Sequence, residues 1–439
     1  MNSSVETAPS GSAAPLSGGG VPGRYWVLAV MTMVYAINIA DRFVLSTLIE
    51  PIKAEFALSD SAVGFLTGVA LALFYTTAGL PLGALADRVN RRNMIAWAIT
   101  IWSMFTALCG LAQNFWMLLL ARIGVGVGEA GGTPPSHSIL ADYFRPSERV
   151  VAMSIYAVGV CIGSALGGIG GGLLAEHYGW RAALVIFACG SIPVLILLFT
   201  VREPRRGACD PRGEVQREKT NFRDSLRFIR SQRSLVHVLA GGTVATFSGG
   251  GLVWWTPAFL GRTHGLSVGE AGVQVGLMNG LGGSIAMIAT IFLMLNLAKR
   301  DPKWQCHFAA WLTLIISVPA IAAHMVTGLG SATLLLWLFV PFVNVMIGPT
   351  LALIQNLSRP DMRGFTVAVL LFTANMANLA VAPQLIGFLS DMLATQIDDP
   401  VQSLRYALAF AGLTGIWGAW HFWAAIKWLP RDLERAGSA

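Results

Sequence analysis

Charge is scarce in this chain. Of its 439 residues only 12% are Asp, Glu, Lys or Arg, against about 25% in soluble domains, which excludes an ordinary soluble globule. Cysteine is sparse too. The five, Cys109, Cys161, Cys189, Cys209 and Cys306, form no Cys-x-x-Cys pair, and no His stands at ligand spacing from them. Neither a disulfide framework nor a metal site is expected, and three of the five lie in apolar runs where Cys behaves as a small hydrophobe. No Gly-x4-Gly-Lys-Ser/Thr loop is present, so nucleotide-driven chemistry has no phosphate cradle and no cofactor is expected. Residues 1–24 are rich in Ser, Gly, Ala and Pro and lack a basic start before an apolar core. They read as a disordered tail rather than a cleaved leader.

What is abundant is apolar. Hydrophobic residues make up 54% of the chain, and mean hydropathy is +0.62. Apolar runs fall at 25–49, 61–86, 93–113, 115–142, 150–176 and 181–201, then at 234–261, 268–297, 304–326, 332–357, 364–392 and 404–428. Each has the length of a bilayer-spanning helix, about 20 residues. The expected architecture is an all-α membrane protein of twelve spans. Lys and Arg crowd alternate connectors (Arg88, Arg91, Arg92; Arg145, Arg149; 202–233; Lys299, Arg300, Lys303; Arg359, Arg363), whereas Glu50, Glu55, Asp60, Glu176 and Asp391 mark the others. This alternation places both termini in the cytoplasm. It also explains the net charge of +7 without nucleic acid, because residues 202–233 alone carry ten basic and five acidic residues.

The two halves resemble each other at an offset of about 210 residues. Leu58-Ser59 before Gly64 recurs as Leu266-Ser267 before Gly272, Arg149 matches Arg363, Gly172-Leu-Leu-Ala-Glu176 matches Gly387-Phe-Leu-Ser-Asp391, and Arg181 matches Arg405. The expected units are a six-helix bundle at 25–201, a basic linker at 202–233, a second six-helix bundle at 234–428 and a tail at 429–439. A parallel repeat of this kind binds its solute between the halves near the midplane. Within the linker, Phe222, Leu226 and Ile229 share a face flanked by Arg223, Arg227 and Arg230. That short amphipathic helix fits either the inner leaflet or the protein's own cytoplasmic face.

Four charges interrupt the apolar runs: Asp41 and Arg42 in the first, Arg122 and Glu129 in the fourth. A charge at the centre of a spanning helix costs roughly 2.5–3.5 kcal/mol on insertion scales, so such groups face one another or a wet interior. At 1.5 Å per residue, Asp41 and Arg122 lie at roughly the same depth, with Glu129 about two turns deeper. Coupling to protons and binding of solute compete with a static salt bridge as readings of this cluster. Gly124, Gly128 and Gly132, like Gly159, Gly163, Gly167 and Gly171, recur every four residues, as close helix packing requires. Gly126-Val-Gly-Glu-Ala-Gly131 matches Gly-x-Gly-x-x-Gly by spelling, yet it lacks the strand–turn–helix context of a dinucleotide site. Asn38, Asn344, Asn375, Asn378, Trp254 and Trp255 are candidates for the lining of the cavity, with helix-to-helix hydrogen bonds as the alternative role for the amides.

The segment Gly83-Ala-Leu-Ala-Asp87-Arg88-Val-Asn-Arg91-Arg92 sets one acid and a cationic cluster at a helix end. It resembles the signature between spans two and three of the major facilitator superfamily, and Arg122 with its glycines resembles that superfamily's fourth-span motif. Asn38-Ile-Ala-Asp41-Arg42 and Gly128-Glu129-Ala-Gly131 through Ala141-Asp142-Tyr143-Phe144 resemble the Spinster branch. The resemblance implies alternating access by two six-helix bundles, with Gly83, Asp87, Arg88, Arg91 and Arg92 at a cytoplasmic gate. Asp87 would meet the start of span eleven near Arg363 and Gly364. It further implies a proton-coupled secondary transporter of a sphingolipid or lysophospholipid type of solute, not an enzyme, acting as a monomer in the cell (inner) membrane. Asp41, Arg42, Arg122 and Glu129 would then serve coupling and headgroup binding. Transport of small organic anions is the alternative, and a channel or non-transporting sensor the alternative of another class. The second-half counterpart of the gate segment, Lys299-Arg300-Asp301-Pro302-Lys303, departs from the pattern.

Overall fold

The computed structural model describes residues 21–86, 88–209, 222–297, 303–359, 362–397 and 399–437, and every regular element among them is helical. Asp87, most of the expected tail, the middle of the basic linker and residues 298–302 lie outside the described residues. Among the described residues, ten stretches, rather than twelve, are long and apolar enough to cross a membrane. The difference has a local origin. Val151–Leu198 is 48 residues long and holds two of the apolar runs; it breaks at Gly179, whose φ of 82° and ψ of 159° belong to no helix. The last run lies in Pro400–Gly437, a helix outside the ten.

The internal repeat has a mechanical basis. Ser59 and Ser267 are N-caps, each hydroxyl accepting from a backbone N–H three residues on (Ala62 and Glu270, both 3.1 Å). Such a cap satisfies one of the orphan donors of the helix start. Arg149 donates to the Ala141 carbonyl at 3.0 Å, and Arg363 to that of Gln355 at 3.1 Å. Each thus closes the end of the helix before it. Arg181 reaches the Ala112 carbonyl at 2.7 Å; Arg405 reaches those of His324 and Met325 at 3.0 and 2.8 Å. The repeat extends to features with no sequence signature. Single π-helical turns interrupt the helices at Phe65–Val69 and Leu166–Gly170, and again at Met278–Gly282 and Met376–Val381.

Glycine decides which helices touch. A side chain at Gly159 would meet the Thr32 carbonyl at 2.9 Å, and one at Gly163, Gly167 or Gly171 would strike Ala36, Ala40 or Val44. Four successive turns of one helix therefore run along four turns of Arg24–Thr47 at backbone contact. Gly128 faces the Trp102 backbone nitrogen at 2.7 Å, and Gly126 the Leu71 carbonyl at the same distance.

Residues 27–201 bury a core of their own around Ile99, Trp102 and Leu118. In the second half, one core gathers around Leu235, Leu353 and Phe422. Another takes Ile49 and Val63 from the first half in beside Trp255, Phe259 and Ile386. The halves thus merge at the end bearing Glu50, Asp60, Glu176 and Asp391, here termed the acidic end. At the opposite, basic end, Gly79, Gly83, Gly348 and Gly364 have, among the described residues, no atom within 4 Å of where a Cβ would stand. Arg24 pairs there with Glu148 at 2.7 Å, and Asp432 accepts from the Ser234 backbone at 2.8 Å. Both described chain ends therefore share the basic end. The helix Phe222–Ser231 buries Ser225 and Ile229 and sets Phe228 under the Arg359 guanidinium at 6.0 Å. One face of it packs on the protein itself.

A Gly163→Leu variant is expected to overpack this helix pair and lose about 1–3 kcal/mol or more. Thermal unfolding in detergent checks this, with Gly190→Leu, where nothing lies within 4 Å, melting as the parent does.

Candidate functional site

The helices Arg24–Thr47, Arg91–Gly110 and Phe115–Ala130 bring the four expected charges together. Arg122 and Glu129, seven residues apart, project from one side of their helix. Small residues at Gly124, Gly126 and Gly128 allow Phe105, Leu71 and Trp102 to close against the helix. Arg42 grips Glu129, with Nε and Nη2 at 2.7 and 2.6 Å from the same carboxylate oxygen. Arg122 stands 3.7 Å from Asp41 Oδ2, while Thr106 donates to Asp41 Oδ1 at 2.6 Å. Asp41 stands beside Arg122, as their common depth allows, whereas the pairing of Glu129 with Arg42 is not one that the depths read from sequence supply.

The two pairs differ in kind. Glu129 is fully buried, and Arg42, with 11% of its side chain exposed, is the least enclosed of the four. Its guanidinium lies 4.8 Å over the ring of Tyr75, a cation–π contact that orients the fork. Polar capacity is left over. Among the described residues, Glu129 Oε1, Asp41 Oδ2 and Arg122 Nε and Nη2 are buried without a hydrogen-bond partner. Buried polar atoms are nearly always paired, so a set with spare acceptors and donors is suited to receiving a proton, water or an anionic group. Tyr35, on one helix with Asp41 and Arg42, stacks on Tyr156 with centroids 4.6 Å apart, and His137 meets Tyr156 edge-on at 5.1 Å. Thr106 and Tyr75 were not singled out from the sequence. A lone Thr or Tyr in an apolar run carries no pattern until the fold supplies its neighbour.

The gate residues part company. Gly83 faces open space, Arg88 is exposed, and Asp87 is outside the described residues. Arg91 is buried. It binds Asp142 at 2.5 Å, Ser138 at 2.8 Å, Glu203 at 2.7 Å and the Pro204 carbonyl at 3.1 Å. Arg92 reaches the Val201 carbonyl at 3.3 Å, and its backbone N–H donates to Glu203 at 3.1 Å. These two arginines staple the start of the linker to the first half rather than facing the second.

Of the expected cavity residues, Asn38 is buried, and Asn344 and Asn375 are half-buried. The Asn378 amide fills the space that a side chain at Gly250 would need. Trp254 and Trp255 do not line an open cavity. Trp254 donates to Thr67 at 3.2 Å, and its carbonyl accepts from Ser46 at 2.7 Å, joining the halves. Trp255 is fully buried, with Nε1 3.3 Å from the Pro383 carbonyl. Both belong to the seal at the acidic end, where bulky rings fill the space between merging helices.

A profile described as Major Facilitator Superfamily matches residues 31–383. An MFS-type efflux pump of Mycolicibacterium smegmatis is 33% identical over 94% of this chain and 95% of its own length. The sphingosine-1-phosphate transporter SPNS2 of Danio rerio is 26% identical over 91% of this chain and 83% of its own. Among solved structures, a bacterial homologue of the human lysosomal transporter Spinster, inward-facing and unoccupied, superposes with a TM-score of 0.83. It is 28% identical and covers 94% of this chain and 99% of its own. With this helical architecture and these matches, the chain belongs to the Major Facilitator Superfamily, as a transporter whose relatives are Spinster proteins.

Proposed function

We propose that this protein is a proton-coupled secondary transporter that moves an amphipathic, anionic lipid-like solute by alternating access. The observation that carries this reading is the Arg42–Glu129 pair. A fully buried carboxylate holds a guanidinium that is itself partly exposed. A phosphate or carboxylate headgroup would bind that guanidinium in bidentate fashion and compete with Glu129 for it. A displaced, desolvated Glu129 takes up a proton, so solute and proton occupy the site in a linked way. Asp41, with its unfilled acceptor capacity, would pass the proton on, and Arg122, permanently charged, would balance charge. The apolar walls of the spans accommodate the hydrocarbon part of the cargo.

In this reading the chain crosses the membrane twelve times, counting Val151–Leu198 as two spans and Pro400–Gly437 as the twelfth. The basic end lies in the cytoplasm, as the distribution of Arg and Lys supports. Merged helices at the acidic end and open space at Gly83 and Gly364 then correspond to a conformation open to the cytoplasm. This agrees with the inward-facing state of the structural neighbour. A monomer in the cell membrane suffices, since the repeat within one chain supplies both bundles.

Proteoliposomes with an imposed pH gradient test the reading. Glu129→Gln and Asp41→Asn are expected to abolish the dependence of lysolipid flux on the gradient. Flux that follows the gradient unchanged in both variants overturns proton coupling. Arg42→Ala removes a charge-assisted contact of about 1.5–3 kcal/mol and should weaken solute binding about 10–150-fold. Arg42→Lys keeps the charge without the fork and should fall between. Competition by short dicarboxylates equal to that by lysolipids would favour a small organic anion as the solute.

A further inference from the structure

We propose that the acidic end carries a latch between the halves, built on a Gly-x-Leu-small-acid motif at the ends of two helices and clamped by Arg262. The proposal rests on the alternating-access reading and assigns residues to one of its gates. The motif occurs as Gly172-Leu-Leu-Ala-Glu176 and as Gly387-Phe-Leu-Ser-Asp391. Residues four apart share a helix face, so glycine and acid act on the same partner. At Gly387 a side chain would strike the Asp60 carbonyl, so that only hydrogen lets the start of the Asp60–Gly83 helix come this close. One turn on, Asp391 accepts from the backbone N–H groups of Asp60 and Ser61 at 2.9 and 2.8 Å and from the Ser61 hydroxyl at 2.5 Å. A carboxylate from the second half thus caps a helix N-terminus in the first, where both the orphan donors and the dipole favour a negative charge.

The companion copy faces the other way across the interface. A side chain at Gly172 would lie 2.8 Å from the Val268 carbonyl, and the Glu176 carboxylate lies over Gly269, at the start of the Val268–Leu277 helix. Here the acid comes from the first half and the helix start from the second. Two related contacts therefore hold the interface from both sides.

Arg262 supplies the clamp. Its Nη1 and Nη2 reach the two oxygens of Asp60 at 2.8 and 2.7 Å, a bidentate pair, and its Nε reaches Glu50 at 2.8 Å. Lys53 also contacts Asp60, and Ser390 donates to Asp60 Oδ2 at 2.7 Å. Every oxygen of Asp60 is thus committed, and its partners come from both halves. Arg262 and Asp60 are nearly buried, with 9% and 4% of their side chains exposed, which shields the pair from the screening that weakens surface ion pairs. Separation of the halves at this end must break the clamp and the Asp391 cap together, and part the Glu176 carboxylate from Gly269. The latch therefore weights the protein towards the conformation closed at the acidic end.

Ser46 lies buried beneath the latch, bonded to Trp254 of the other half, and reports its opening. In a Cys189→Ser/Cys209→Ser background, Ser46→Cys is reconstituted and labelled with an impermeant maleimide from the acidic side. Arg262→Gln and Asp391→Asn are each expected to raise the labelling rate at least about fivefold, the low end of ordinary coupling energies. Arg262→Lys, which keeps the charge, should lie closer to the parent. Arg181→Gln, which alters an arginine at the same end bonded to Glu55 and Ala112 within one half, should leave the rate unchanged. Rates for Arg262→Gln and Asp391→Asn equal to that control, in protein of parental chromatographic profile, would overturn the latch while leaving alternating access standing. Ser46→Cys that never labels in any variant, beside undiminished solute flux, would instead overturn the alternating-access reading itself.

Discussion

Every charge carried into an apolar bundle has to meet its opposite, and that constraint organises this molecule. Arg42 with Glu129 and Arg122 with Asp41 satisfy it in the middle of the first half. Arg91 with Asp142 and Glu203 satisfies it at the basic end, and Arg262 with Asp60 and Glu50 at the acidic end. The three clusters answer the same electrostatic demand with different consequences. The Arg91 cluster ties the start of the linker to the first half and does not bridge the halves. The Arg262 cluster bridges the halves and can hold or release. The central cluster keeps unpaired atoms and can therefore change partners.

Glycine provides the second constraint. Pairing of charges on different helices requires backbones close enough for short carboxylates to reach, and the helix contacts at Gly126, Gly128 and Gly159–Gly171 create that proximity. The same device at Gly64, Gly168, Gly272 and Gly387 joins the two halves. In the proposed alternating-access cycle the halves must also come apart. Close approach without interdigitated side chains suits both needs, because such surfaces separate without rotamer rearrangement. The π-turns at equivalent places in both halves lie along these contacts, in keeping with the frequent occurrence of such bulges at functional positions.

Much of the site was legible because charge in an apolar run has few innocent explanations. Asp41, Arg42, Arg122 and Glu129 stood out by composition alone, and helical rise placed Asp41 level with Arg122. Trp254 and Trp255 were misplaced because an aromatic pair reads equally well as a cavity wall or as a seal, and only the meeting of helices chooses. Arg91 is placed at a gate only by the resemblance of the Gly83–Arg92 segment to a family signature. Its partners, Asp142 and Glu203, lie 51 and 112 residues away, which no local pattern reports. The latch was hidden in another way. Asp60, Glu50 and Asp391 looked like solvated connector acids, and Arg262 is a single cation near a helix end.

The sequence by itself determined the class of the molecule, its helical runs, its internal duplication and the four intramembrane charges. These follow from hydropathy, periodicity and insertion cost, quantities that depend on neighbours along the chain. Tertiary structure decided which carboxylate each arginine holds, that Arg91 and Arg92 bind within their own half, and that the halves merge at the acidic end. Those outcomes depend on distances of a few ångströms between residues up to 331 positions apart, and a one-dimensional pattern carries no measure of such distances.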